Sequence, residues 1–399
     1  MRRIGIIGGG QLGRMAIEEA RKYLAYIEVL SPDYPSPASD LADATHVGAL
    51  DDYELTLELA REVDVISYEI ESVNVEALCE LERQGKAVLP AAGILAAIRD
   101  KFEQKRALES AGIPVARYAA LPNGEAADGA PSAASLELAA NALGGFPLVQ
   151  KARSGGYDGH GVAILGAADD PAILACPSYA EEKVDFEKEL AVVVARSPDG
   201  SIAAYPCVEM VFDPVVNLCE SVLAPARIGE DRRAEAQRIA LRSIEALCAA
   251  SERSGSPSSG SGGVFGVEMF LKKGGEIIVN EIAPRPHNSG HFSIEACASS
   301  QFDQYVRILL GLPLGSPELL QPAMMVNLLG EDGASGESEY KGLEEALSVP
   351  GVAVHLYGKR EVRPFRKMGH LTALGATVGE AIERAMASRS TVKIVGRGR

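Results

Sequence analysis

The stretch GVFGVEMFLKKGGEIIVNEIAPRPHNSGH, residues 263–291, carries the pattern that decides this chain's fold. Two apolar runs flank Lys272, Lys273, Gly274 and Gly275, which reads as a β-hairpin. With Gly274 and Gly275 at the centre of an even-length turn, Lys273 faces Glu276. Counting outward then sets Glu268 directly opposite Glu281. Facing carboxylates repel and cost stability unless a cation lies between them. An exposed charged hairpin is the alternative, but Val267, Met269, Ile278 and Ile282 make the surroundings core-like. Magnesium takes oxygen ligands and commonly bridges one or two carboxylates to nucleotide phosphates. Glu268 and Glu281 are therefore the candidate metal ligands. Strand parity points the side chain of the intervening Asn280 to the other face.

Just beyond the hairpin, Arg285, His287, Asn288 and His291 share a proline-stiffened loop suited to an anion or substrate, with Arg285 able to grip oxygens bidentately. His287 and His291 are four apart, but Gly290 and the missing glutamate of HExxH argue against a zinc helix. Further on, GKREVRPFRKMGH sets Lys359, Arg360, Arg363, Arg366 and Lys367 within nine residues. Such a run is usually a solvated face. Here its sign opposes a net charge of −16, so a phosphate pocket using two or three of the five is expected.

Toward the amino end, RRIGIIGGGQLGRMAIEEARKYLAYIEVLSPD reads as buried strand, glycine turn, amphipathic helix and second strand, the start of a parallel α/β sheet. Gly8, Gly10 and Gly13, with Asp33 about 20 residues on, also fit a dinucleotide-binding turn, so an NAD-dependent oxidoreductase is one alternative. In SYEIES, Glu69 and Glu71 lie two apart at the carboxyl end of a strand and share a face there. GILAAIRDKFEQKRALESAGIPV reads as one helical pattern stopped by Gly112 and Pro114. The strand FPLVQKARS leads into a loop with four glycines in seven positions, GGYDGHG.

Bulk composition fits this picture. The 399 residues call for two to four domains, and the acidic balance argues against a general nucleic-acid binder. Six cysteines without a CxxC pair fit reduced thiols in a cytoplasm, and neither a signal peptide nor a membrane span is expected.

Taken in order, GIIGGGQLGRM, YEIESV, KARSGGYDGHG, VEMF, NEIAPRPHNSGH and RKMGH resemble the 5-(carboxyamino)imidazole ribonucleotide synthases, ATP-grasp ligases of purine biosynthesis. The resemblance spans nearly the whole chain. It implies an α/β ATP-grasp fold with an N-terminal pre-ATP-grasp (Rossmann-like) domain over residues 1–113. A small ATP-clamp subdomain would cover 114–184, the central ATP-grasp domain 185–330 and a C-terminal subdomain 331–399. The implied reaction joins bicarbonate to 5-aminoimidazole ribonucleotide with ATP and magnesium, in a homodimer. Lys101 and Lys151 would contact ATP phosphates, and Gly156, Tyr157, Asp158, Gly159, His160 and Gly161 would form the lid. Glu181, Glu182, Lys183 and Val184 would read adenine, Glu189 the ribose, and Asn280 would accompany the metal ligands Glu268 and Glu281. Asp158, Arg285, His287, Lys359 and Arg366 would hold the ribonucleotide. Tyr157, Glu71, Asn288 and Ser289 would line the bicarbonate or carbon dioxide pocket. The alternatives are another ATP-grasp ligase, such as a formate-dependent glycinamide ribonucleotide transformylase, and a nucleotide-binding regulator without catalysis.

Overall fold

The computed structural model describes residues 2–122, 129–155, 161–213, 218–253, 255 and 261–397. The expected lid residues Gly156, Tyr157, Asp158, Gly159 and His160 lie outside them.

The first unit is a parallel sheet of β1 (Arg3–Ile7), β2 (Tyr26–Ser31), β3 (Ala44–Val47), β4 (Val65–Tyr68) and β5 (Ala87–Val88), in the order β3-β2-β1-β4-β5. Helices α1 (Gln11–Ala20), α2 (Tyr53–Glu62) and α3 (Val75–Arg83) connect these strands. Near-continuous apolar runs such as RIGII suit strands covered on both faces.

The expected single helix after β5 is two helices, α4 (Ala92–Arg99) and α5 (Lys101–Ser110). Asp100 breaks it. Its backbone is extended, and its carboxylate accepts from the N–H groups of Phe102 and Glu103, the start of the second helix. Arg153 grips the same carboxylate at 2.5 and 3.0 Å. The sequence signal was the capping pair Asp100 and Glu103. Restarting the helix brings Lys101, Gln104 and Lys105 onto one face turned toward the remaining units.

A four-stranded antiparallel sheet follows, ordered β6 (Tyr118–Ala120), β9 (Ser178–Glu182), β7 (Leu148–Ala152), β8 (Val162–Leu165), with α6 (Ala133–Leu143) packed against it. The largest sheet has nine strands. It runs β15 (Ile277–Ala283), β14 (Gly263–Lys272), β10 (Phe186–Arg196), β12 (Val208–Phe212), β13 (Cys219–Ala224), β16 (Ala323–Leu329), β20 (Lys367–Leu374), β18 (Val352–Leu356), with β11 (Ile202–Ala204) paired to β10. The sheet is thus continuous from the central region into residues 352–374. Helix α7 (Glu230–Arg253) covers it with a stripe of Ala236, Ile239, Ala240, Ile244 and Leu247. Each larger side chain there contributes about 1.5–3 kcal/mol by burial. Short α8 (Ser293–Ala296) precedes α9 (Gln301–Leu310), which shares a core with α1 through Phe302, Tyr305, Met15 and Ala16. Beyond the sheet lie β17 (Gly336–Lys341), α10 (Leu343–Leu347), β19 (Glu361–Val362), α11 (Val378–Thr391) and β21 (Lys393–Gly396).

Candidate active site

Glu268 does face Glu281, but not by the route the sequence suggests. The turn is one residue longer than expected: Lys272 N–H donates to Glu276 O at 2.8 Å, and Gly275 takes the left-handed conformation at φ 84°. This is a three-residue loop rather than a two-residue one. The pairs Leu271–Ile277, Phe270–Ile278 and Met269–Val279 follow from it, and a β-bulge at Asn280 then restores the pairing of Glu268 with Glu281. The bulge also corrects the parity expectation for Asn280, because an inserted residue lets two successive side chains face one side. Lys151 Nζ lies 2.8 Å from Asn280 Oδ1, and Lys101 Nζ lies 2.7 Å from Glu281 Oε2.

A bulge is tolerated here because β15 is an edge strand. Its outer edge is covered by α5. The Gln104 carboxamide donates to Ile282 O at 3.1 Å and accepts from Ile282 N–H at 3.0 Å, imitating a strand partner. Val279 N–H donates to Pro114 O at 2.8 Å.

These groups border a cavity of about 830 Å³ where the carboxyl edge of the first sheet, the four-stranded sheet and the nine-stranded sheet meet. Its apolar lining includes Val149, Ile164, Val184, Phe186, Met210, Phe212 and Phe270. Glu181, Glu182, Lys183 and Glu189 border it as well. Its polar lining includes Lys101, Lys151, Glu268, Asn280 and Glu281, together with Glu71, Arg285, His287, Asn288, Ser289, His291 and Lys367.

Electrostatics divide the site. Burial pushes the Glu189 carboxyl up to about 7, with the Glu268 charge adding to the effect. Burial would also raise Glu268, but His287, with Nε2 at 3.2 Å, and the more distant Lys101 hold its carboxyl below the usual value. His287 Nδ1 is 2.9 Å from Ser289 Oγ. Arg285 Nε donates to Glu71 at 2.9 Å, and the carboxamides of Asn288 and Asn327 bond reciprocally at 3.0 and 2.8 Å. Among the described residues no group of three or more His, Cys, Asp or Glu surrounds a common metal position. Two facing carboxylates with an amide oxygen beside them suit a hard cation that shares its other ligands with a phosphate chain.

Lys359 and Arg366 are placed beside the cavity rather than among its bordering residues. Lys359 Nζ donates to Lys367 O at 2.7 Å, and Arg366 Nη1 donates to Glu361 O at 2.7 Å. Lys367, one of the five cations of the basic run, borders it directly.

Glu69 has a role that sequence reasoning missed. Its carboxylate accepts from the backbone N–H groups of Gly10 and Gly13 at the start of α1. A Cβ built at Gly8 or Gly10 would meet the Glu69 side chain at 2.1 and 2.8 Å, respectively. The glycine turn therefore holds a carboxylate of the chain itself where a dinucleotide-binding turn holds pyrophosphate.

Fold and site together define an ATP-grasp ligase: a lysine pair and an acidic hairpin between two antiparallel sheets, joined to a parallel N-terminal sheet. Residues 1–99 match the ribonucleotide synthetase preATP-grasp domain, 106–302 the ATP-grasp domain and 323–384 the phosphoribosylaminoimidazole carboxylase C-terminal domain. More narrowly, the chain belongs to the N5-carboxyaminoimidazole ribonucleotide synthase family. It is 37% identical to the enzyme of that name from Synechococcus elongatus, over 98% of this chain and 95% of the relative. Against that of Bacillus subtilis it is 35% identical, over 95% and 93%. The phosphoribosylaminoimidazole carboxylase of Ogataea methanolica is 38% identical over 96% of this chain, which spans 68% of that longer protein. The crystal structure of the Thermotoga maritima synthetase matches with a TM-score of 0.86 and 44% identity across both whole chains. That of the Aspergillus clavatus enzyme with ADP and 5-aminoimidazole ribonucleotide matches with a TM-score of 0.84 and 34% identity over 98% of each.

Proposed function

We propose that this chain carboxylates 5-aminoimidazole ribonucleotide with bicarbonate, through carboxyphosphate, at the expense of ATP. The observation that carries this reading is that one cavity brings together an apolar wall, two lysines beside facing carboxylates and the Arg285–His287–Asn288 loop. The apolar wall takes adenine against Val184 and Phe270, and Glu189 meets the ribose. Lys101 and Lys151 neutralise the phosphates, and Glu268 and Glu281, with Asn280 beside them, hold magnesium. The metal, when bound, supplies charge neutralisation at the phosphate oxygens.

A bicarbonate oxygen forms the new bond to the γ-phosphorus as ADP leaves. Carboxyphosphate then breaks to carbon dioxide and phosphate, and the substrate amine bonds to the carbon while its proton passes to the released phosphate. Arg285 and Asn288 hold the carboxyl oxygens, His287 and Lys367 hold the ribonucleotide, and the lid residues Tyr157 and Asp158 exclude water and orient the amine. Homodimer formation belongs to the same proposal and rests on the family resemblance.

ADP release measured with each substrate omitted in turn tests the reading. Dependence on both 5-aminoimidazole ribonucleotide and bicarbonate is expected, whereas dependence on formate with glycinamide ribonucleotide overturns it. Glu281→Gln is expected to lower magnesium-dependent ADP formation by at least about a hundredfold with circular dichroism unchanged. Undiminished turnover removes Glu281 from the metal site.

A further inference from the structure

Behind the cavity wall lies a charged group that the reading above leaves unused. Lys105 is 1% exposed, on the inward face of α5 one turn beyond Lys101, and does not border the cavity. Its Nζ is 2.9 Å from Glu181 Oε1, while Lys151 Nζ is 3.1 Å from Glu181 Oε2. The Tyr179 hydroxyl donates to Glu181 Oε1 at 2.8 Å. Glu181, 2% exposed, is therefore shared between a lysine at the cavity surface and one behind it. Burial acts to raise the Glu181 carboxyl, and the two lysines outweigh it and hold the group below its ordinary value.

A buried lysine is costly and persists only when paired. Replacing the pair by apolar residues of similar volume is commonly neutral or stabilising, so stability alone gives a weak reason for it. The charge count gives a better one. Glu181 alone beneath Lys151 would cancel the lysine's charge, leaving little for an incoming phosphate. With Lys105 present the trio carries a net positive charge, and the surplus sits on the member that reaches the cavity.

We propose that Lys105 is a positioning residue that occupies Glu181 electrostatically and so frees the charge of Lys151 for the nucleotide's phosphates. This deepens the ATP reading of the same site and rests on it. Lys105 touches no reacting atom. Its effect passes through Glu181, whose side chain thereby has a role separate from the adenine-reading backbone of residues 181–184.

The test is a double-mutant cycle on the full chain, with ATP and ADP binding measured by titration calorimetry and KM for ATP measured separately from kcat. Lys105→Met is expected to weaken ATP and ADP binding about tenfold or more and to raise KM for ATP well above any change in kcat. Lys105→Met combined with Glu181→Gln removes both buried charges, and ATP affinity should return to within about threefold of the unaltered chain. A packing role alone would give no such rescue. Should Lys105→Met fail to fold, the double variant still decides: weak ATP binding by the folded double variant overturns the assignment, as does unchanged affinity in a folded Lys105→Met. Absence of ATP binding by the unaltered chain overturns the ATP reading itself, and this assignment with it.

Discussion

Glu189 shows what burial beside a second carboxylate does to an acid in this cavity. Its folded-state pKa, about 7, stands above an ordinary value of 4.5 because of burial first and the charge of Glu268 second. The protonated form is thus favoured by folding. This contribution to stability is complete below pH 4.5 and is lost as pH rises through 7. Without ligands, the unaltered chain should lose stability relative to Glu189→Gln over that interval, by about 1–2 kcal/mol after allowance for a half-buried side chain. Urea unfolding at several pH values checks this, and parallel curves would remove Glu189 as the cause. The facing of Glu268 and Glu281 was legible from an assumed hairpin register, although a different turn and a bulge produce it. The sharing of Glu181 between Lys105 and Lys151 was not, because its members come from α5, β7 and β9, and no local spacing relates them.

Two elements show where local rules gave way. Helical periodicity runs unbroken across residues 92–110, yet the Asp100 carboxylate caps a new helix and is held by Arg153, 53 residues away in sequence. In the hairpin, apolar alternation predicts both strands, but the register depends on whether two or three residues close the turn. A three-residue turn and a one-residue bulge cancel, so the expected Glu268–Glu281 pair appears although the turn does not match. Gln104 holds the bulged strand by both polar atoms of its carboxamide. Gln104→Leu should leave the Ile282 N–H and C=O without that partner, costing about 2–4 kcal/mol in denaturant unfolding. It should also raise the magnesium concentration needed for half-maximal ADP formation severalfold, through displacement of Glu281. A stability loss with an unchanged magnesium requirement would show that the clamp does not position the metal strand.

At the scale of the whole molecule, the cavity exists only because three sheets meet. The first sheet contributes Glu71, which ties to Arg285 of the ATP-grasp loop, and its helix α1 shares a core with α9. The Tyr23 hydroxyl, just after α1, donates to Asp303 of α9 at 2.6 Å across this junction. Tyr23→Phe should therefore lower unfolding stability by about 1–3 kcal/mol, as expected for a hydrogen bond to a charged group. ADP formation per folded molecule should be unchanged, and a comparable loss of turnover would show that the junction moves during catalysis. Among the described residues, no helix is long and apolar enough to cross a membrane.

By itself the sequence determined the alternation of strands and helices, the two strands of the acidic hairpin and the loop of Arg285, His287 and Asn288, because each follows from a local period or a short spacing. Tertiary structure alone decided that Asn280 turns into the cavity, that Glu69 fills the glycine turn and that Lys367 borders the site with Lys359 behind it. The physical reason is common to all three. Each depends on an edge, a helix end or a packed neighbour supplied from far along the chain, where a polar group must find a partner once it leaves water.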